Sequence, residues 1–489
     1  MVRQFISKEI VESLSGPKFL ITFVICTALI LTSVYTGYQL YEAEASWHQT
    51  AKMENKRALE NRGSYGTLKT EGSKATREPE RMSIFVRGVD STVGKASTVG
   101  DDANIVLRDS RFGLNPIFAV FGELDLAFIV KIILALFALL FSYNAISGER
   151  ELGTLKQVLS NSVGRASFIL GKSVGGLITL FVTFLLPLLI ALLMLMVFFG
   201  VTFTGDEWAR VGLMTLVFCV YLAVFFMVGM LMSALTRNSF VSFLLCLFVW
   251  VLSVVIVPRI AVEAAGRISP APSIDRVEAE RASISRNYYA VLRELLTRNL
   301  TEALQSDPNA SREVLRQVGD RARAEARERF AGTEEALLRE YEQRQIRLLN
   351  TAESIARTSP TSCVTFAVSR LAYTDAEMRE RFLRSLRRFR LAFLDYADEK
   401  IRLHPELANS GTSTSISVTD DDEGNISFRV GVRTPEHILD TGDAPVFSMA
   451  SEPLAASAAA IVPDVAILVV EFFLLFAAAF VAFLRYDVR

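Results

Sequence analysis

Histidine and cysteine are scarce in this 489-residue chain, at three and four positions. So few histidines argue against a His-rich metal site. Cys26, Cys219 and Cys246 lie inside apolar runs, where cysteine behaves as a small hydrophobe, and Cys363 stands alone in a polar stretch. No internal disulfide framework is expected. Net charge is also nearly absent: 52 Lys and Arg against 53 Asp and Glu leave -1, which gives no argument for nucleic acid. The sequence contains no HExxH, GxSxG or CxxC. Gly171-Lys172-Ser173 resembles the end of a phosphate-binding loop, but Ala166 stands where the earlier glycine is needed and no strand precedes it. The stretch from Gly88 to Lys95 has one residue too many and continues with Ala96 instead of Ser or Thr. The chain therefore carries no visible ATP-binding apparatus of its own.

What is abundant is apolar sequence. At 51% hydrophobic residues the chain is too apolar for a soluble protein, yet 21% charged residues is too many for a pure membrane bundle. The expected fold is a polytopic α-helical membrane protein of six transmembrane helices, with an α+β extracytoplasmic domain that contains a charged helical hairpin or bundle. Residues 1–17 mix Val2, Phe5, Ile6, Ile10 and Leu14 with Arg3, Lys8, Glu9 and Glu12, as in an amphipathic helix on a membrane surface. The first span follows over 18–40, and a bilayer of about 30 Å needs such a length. Apolar runs at 126–146, 174–201, 211–235 and 240–262 give four more spans within 126–262, and 458–489 holds the sixth span and a tail.

Two polar blocks interrupt the spans, at 41–125 and 263–457. In the first, residues 42–62 read as helix, and 82–89 and 104–108 read as short strands. The second is dense in Arg and Glu at helical spacing over 273–306, 311–357 and 375–403, with apolar stripes such as Val291, Leu295 and Leu296. Residues 415–418 and 426–432 read as a β-hairpin, and that hairpin is expected to extend a sheet begun in the first block.

Charge in the short loops sets orientation. Arg3, Lys8 and Lys18, then Arg150, Lys156, Arg165 and Lys172, then Arg237, then Arg485 and Arg489 fall on one side of six spans. Asp206 and Glu207 lie on the other, opposed only by Arg210. Both chain ends and the loop after the second span are expected to be cytoplasmic, and both polar blocks outside.

That loop is the most informative stretch. Residues 142–172 read SYNAISGERELGTLKQVLSNSVGRASFILGK, with a charged block, a turn at Gly153, and then a short amphipathic helix carrying Leu155, Val158 and Leu159 on one face. A charged loop between spans is commonly no more than a positive-inside loop, but here the GTL and RxxxxxGK spacings stand at fixed distances from two spans. The stretch resembles the ERExGTL...LLS.P..R...GK signature of type-2 ATP-binding-cassette (ABC) permeases, with Ser162 where that signature has Pro. Glu149, Arg150, Glu151, Gly153, Thr154, Leu155, Leu159, Ser160, Arg165, Gly171 and Lys172 fall on the pattern. The resemblance implies a cytoplasmic coupling helix, here 149–160, that docks on an ATPase subunit, and an elbow helix at residues 1–17. The two outer blocks resemble those of a subgroup with large extracytoplasmic insertions after the first and fifth spans.

The resemblance further implies a permease subunit of the bacterial cytoplasmic membrane that pairs with a second permease copy or a homologous one and with two cytoplasmic ABC ATPase subunits. ATP and Mg would be bound by the ATPase and no cofactor by this chain. Export or extraction of a substrate is the leading reading. The alternatives are a subunit that drives an extracytoplasmic protein without transport, and a membrane-anchored scaffold or sensor with no ATPase. Ionisable groups inside apolar runs are costly in lipid and so become candidates: Glu471 in the middle of the sixth span and Lys131 near the outer end of the second.

Overall fold

The computed structural model describes residues 2–101, 105, 107–108, 124–155, 157, 164–306, 312–330, 332–408, 414–420, 426–432 and 439–485. Among them, six helices are long and apolar enough to cross a membrane. In chain order the elements are α1 (Val2–Leu14), α2 (Pro17–Glu60), α3 (Tyr65–Glu71), β1 (Ser73–Thr76), β2 (Ala96–Val99), α4 (Leu126–Glu151), α5 (Arg165–Val197), α6 (Gly205–Leu235) and α7 (Ser239–Ile268). Then come α8 (Ile274–Ser306), α9 (Arg312–Phe330), α10 (Thr333–Ala356), α11 (Pro360–Leu371), α12 (Met378–Leu403), β3 (Thr414–Asp420), β4 (Ile426–Val432) and α13 (Leu454–Leu484). The chain folds as two compact units, Met1–Val254 with Cys363–Arg489, and Val255–Ser362.

Helix starts are written locally. Asp125 caps α4 by accepting from the Phe128 amide at 2.7 Å. Thr204 and Glu207 form a capping box at the head of α6, and Asn238 accepts from the Phe240 amide at 2.8 Å to start α7. With only residues 236–238 between them, α6 and α7 are forced to run antiparallel.

In the first unit α6 is the central span: 67% of its apolar window is buried, against 28% in α2, 17% in α13 and 11% in α7. It packs on α4, α7 and α13. At the α4 contact, a Cβ at Gly229 would overlap Ser142 Oγ. At the α5 contact, a Cβ at Gly176 would overlap the Phe226 ring. Such close approach fixes these helices side by side.

The first span and the polar helix expected after it are one continuous helix, α2, of 44 residues. At ~1.5 Å per residue it is about 66 Å long, twice the ~30 Å of hydrocarbon it must cross. Its far end enters an apolar core built from both polar blocks: Leu59, Tyr65, Leu68 and Val99 pack with Phe382, Leu386, Phe389 and Phe393. Tyr65 donates to the Asp440 carbonyl at 3.2 Å, and Lys69 pairs with Asp398 at 2.7 Å.

The strands differ from those expected. The pair in the first block is β1 with β2, from Ser73 opposite Val99 to Thr76 opposite Ala96. Residues 82–89 are instead a 3-10 turn, Arg81–Ile84, followed by irregular chain and a further turn from Gly88. Met82, Ile84, Phe85 and Val86 are all buried in the core of the spanning helices, without the one-face burial of a strand that has a solvated side. The turn fits because Gly37 of α2 lets the Ile84 carbonyl approach where a Cβ would overlap it. Of residues 104–108, Arg108 forms only an isolated bridge to Ala96, and 104 and 106 lie outside the described residues. The β3–β4 hairpin is a separate two-stranded sheet, so the expected joint sheet does not form among the described residues.

The second unit is helical. Gly332, at φ +77°, breaks the helix expected over 311–357 into α9 and α10. Leu295, Ala322 and Ala326 make a small apolar seam between α8 and α9.

Candidate functional site

The segment between α4 and α5 is held by more polar contacts than any solvent loop requires. α4 leaves its apolar run at Ser142, turns through residues 143–146, and makes one more helical turn, Ser147–Glu151. Gly153 then takes φ +72°, a left-handed conformation suited to glycine, and the chain is helical again at Thr154 and Leu155. The glycine corner therefore interrupts the stretch 149–160. Leu159 and Ser160 lie outside the described residues.

Lys172, near the start of α5, is the hub. Its Nζ lies 3.0 Å from Glu9 of α1 and 3.2 Å from Glu149. Burial pushes the Glu9 carboxyl above its ordinary range, with Lys172 opposing that rise. Glu149 also accepts from the Thr154 hydroxyl. Arg150 donates to the Thr236 carbonyl at 2.8 Å, and Glu151 accepts from Ser239 Oγ at 2.6 Å, so both reach the α6–α7 turn. The amides of Ile146 and Ser147 both donate to Ser233 Oγ of α6, each at 2.9 Å. Ser242 of α7 donates to the Tyr143 carbonyl at 2.7 Å. Arg165 reaches the Leu484 carbonyl at the end of α13 at 2.7 Å. The segment thus touches α1, α5, α6 and α7.

Its two leucines have opposite settings. Leu155 is 2% exposed and packs in the core of the spanning helices, whereas Leu152 is 79% exposed at the corner. Among the described residues of the segment, the apolar residue offered outward is therefore Leu152, not Leu155.

Polar groups also gather at the opposite end of the spans. Arg210, 1% exposed, spends all five N–H groups: Nε on Asp206 at 2.7 Å, Nη1 on the Leu371 carbonyl and Ser457 Oγ, and Nη2 on the Tyr373 hydroxyl and the Glu452 carbonyl. Its guanidinium lies 4.2 Å from the Tyr373 ring centroid. Tyr373 holds φ +60°, alone among the described non-glycine residues. Beside this clamp, Arg77 pairs with Asp90 at 2.8 Å, and Glu44 of α2 receives Arg87 at 2.7 Å and Lys95 at 2.5 Å. Burial would raise the Asp90 carboxyl, but Arg77, Lys95 and Arg87 hold it below its ordinary value.

Residues 4–488 match the family described as ABC-2 family transporter protein. The chain belongs to the ABC-2 transporter family. No curated protein matches it. Membership makes this multi-pass membrane protein a permease component of ABC transport and implies an ABC ATPase partner. In the permease, Glu149, Arg150, Glu151, Gly153, Thr154, Leu155, Arg165 and Lys172 lie in one neighbourhood or at its rim. Glu471 is half-buried in α13, and its Oε2 is buried without a hydrogen bond among the described residues. Lys131 sits in a π-helical turn of α4, Ile129–Leu134, whose Lys131 carbonyl accepts from Tyr221 at 2.8 Å.

Sequence reasoning gave no site role to Glu9, Ser233, Ser239, Arg210 or Asp464. Asp464 is fully buried in α13 beside Pro463, and a scan of every acid inside an apolar run finds it. Arg210 carries a local signal too, the i, i+4 spacing from Asp206. The serines carry none, because a Ser in an apolar helix reads the same whether or not it receives an amide from another helix.

Proposed function

We propose that this permease couples ATP hydrolysis in a separate cytoplasmic ATPase to export or extraction of a substrate. ATP and Mg belong to the ATPase. The termini and the segment 142–172 face the cytoplasm, the two insertions form the extracytoplasmic part, and a second permease copy completes the complex in a bacterial cytoplasmic membrane. The carrying observation is the segment itself. Its charged side chains tie it to α1, α5, α6 and α7, while Leu152 is left exposed beside a glycine corner. A partner that pushes on Leu152 would load four helices at once.

The test is Leu152→Asp in the complete complex purified from its native membrane. The variant is expected to insert and fold, and to lose the ATPase on purification or to lose substrate-stimulated ATP hydrolysis. Normal association and stimulation in this variant would sink the reading, and recovery of the wild-type chain with no ATPase would favour the scaffold reading.

A second reading has its own support. α2 runs without interruption from the spanning helices into the extramembrane core, which suits a subunit that passes motion to an extracytoplasmic protein instead of moving a substrate.

A further inference from the structure

We propose that α6 is the strut that carries motion from the coupling segment to the extracytoplasmic domain, with Arg210 as its outer pin. This rests on the coupling reading above. At its inner end α6 holds the segment through three bonds: Ser233 Oγ receives the amides of Ile146 and Ser147, and the Thr236 carbonyl receives Arg150. All three attach to backbone on at least one side, so the segment cannot shift without dragging either the helix or its own main chain.

The span between the two ends lacks two of the usual devices that absorb a displacement. α6 contains no proline, unlike α5 with Pro187 and α13 with Pro463, and no π-helical turn, unlike α4 and α7. Pro, Gly pairs and π-bulges are the usual sites where a helix bends. From Arg210 to Ser233 the helix covers ~35 Å at ~1.5 Å per residue, enough to cross ~30 Å of hydrocarbon. It is the most buried of the six spans, and Gly229 seats it against Ser142 and Gly176 seats α5 against Phe226, which fixes its neighbours along the inner half.

At the outer end Arg210 grips structure that belongs to the second insertion. It holds the last carbonyl of α11, the Tyr373 hydroxyl, the Glu452 carbonyl and Ser457 at the start of α13. Tyr373 and Thr374 continue this grip into the first insertion: Thr374 Oγ1 donates to the Val86 carbonyl at 3.1 Å and its own carbonyl accepts from the Val89 amide at 2.8 Å. One guanidinium therefore gathers both insertions onto one helix. A buried arginine with every donor used, stacked on a tyrosine, resists displacement because any shift leaves donors unpaired in a dry site.

The experiment uses the full chain with its co-expressed ATPase in lipid nanodiscs. Spin labels are placed at Phe198→Cys, on the rim of α5, and Arg384→Cys, exposed on α12. The native cysteines are buried or half-buried. Their separation is measured without nucleotide and in the vanadate-trapped state. The expected result is a nucleotide-dependent shift of several ångström that disappears in Arg210→Ala while ATP hydrolysis continues, and that also disappears in Arg150→Ala. If Arg210→Ala does not fold, Tyr373→Phe keeps the stacked ring and removes one acceptor, and a reduced shift is expected. A full shift in Tyr373→Phe together with a full shift in Arg150→Ala overturns the strut. Absence of any ATPase from the wild-type complex overturns the coupling reading and the strut with it, so the two failures are distinguishable.

Discussion

Glu149 and Lys172 close the base of the loop between α4 and α5 with an ion pair at 3.2 Å. The lysine is shared: Glu9 of α1 lies on its other side at 3.0 Å. The exposures of the three side chains, 13% for Lys172, 19% for Glu9 and 22% for Glu149, keep the triad largely out of water. Removing the cation would leave two carboxylates facing each other.

Lys172→Met should therefore destabilise the chain by about 2–3 kcal/mol, less than the ~3–5 of a fully buried pair because water reaches the acids. Adding Glu9→Gln and Glu149→Gln should restore much of the loss. Melting curves of the single and triple variants in nanodiscs check this; a triple variant no better than the single one would contradict the triad.

Leu155 and Leu152 should part company under substitution. Leu155→Asp places a charge in the core of the spanning helices and should lower the yield of folded protein. Leu152→Asp should leave yield and melting temperature within error and affect only the association with the ATPase or its stimulation. Gel filtration yield and melting temperature, measured on both, separate the two roles.

Glu80, in the first insertion, gives a pH test. Burial pushes its carboxyl up, more than Arg77 pulls it down. A raised folded value means that ionisation opposes folding. The penalty is absent below the unfolded value of ~4.3 and grows as pH rises through the folded value. Glu80→Gln should thus raise the melting temperature at pH 7 and leave it unchanged at pH 4. A variant less stable than the parent at pH 7 would show that Glu80 is needed in its charged form.

Gly229→Val should force α4 away from α6, because even one Cβ at this position overlaps Ser142 Oγ. Overpacking of this kind costs about 1–3 kcal/mol. Ser142→Gly in the same chain should recover part of it, read as a shift of melting temperature for the pair against each single variant.

Topology is checked by cysteine labelling. A membrane-impermeant maleimide should reach Glu328→Cys on α9 in intact cells and Leu152→Cys only after permeabilisation. The reverse pattern would invert the orientation drawn from the short-loop charges.

Periodicity and apolar length made the spanning helices legible, because a membrane leaves the backbone few choices. The segment 142–172 was legible as a motif, and Gly153 as its turn. Its geometry was not: nothing local says that Glu149 is held by Lys172 across the loop or that the Ile146 amide meets Ser233 from another helix. The strands in the first insertion were misread for a related reason. Ile84, Phe85 and Val86 have strand-forming side chains, but Gly37 of α2 offered a site for a tight turn, and it lies 47 residues before Ile84 in sequence.

The shared core of the two insertions also sets a clock on synthesis. Tyr65 bonds to Asp440, 375 residues later in the chain. At ~5–20 residues per second, a ribosome needs about 20–75 s to deliver the second partner after the first. Until α12 and then Asp440 are made, Leu59, Tyr65 and Leu68 lack those partners of their shared core. On the proposed orientation that wait falls outside the membrane, where a holding chaperone or the lipid surface would have to cover them.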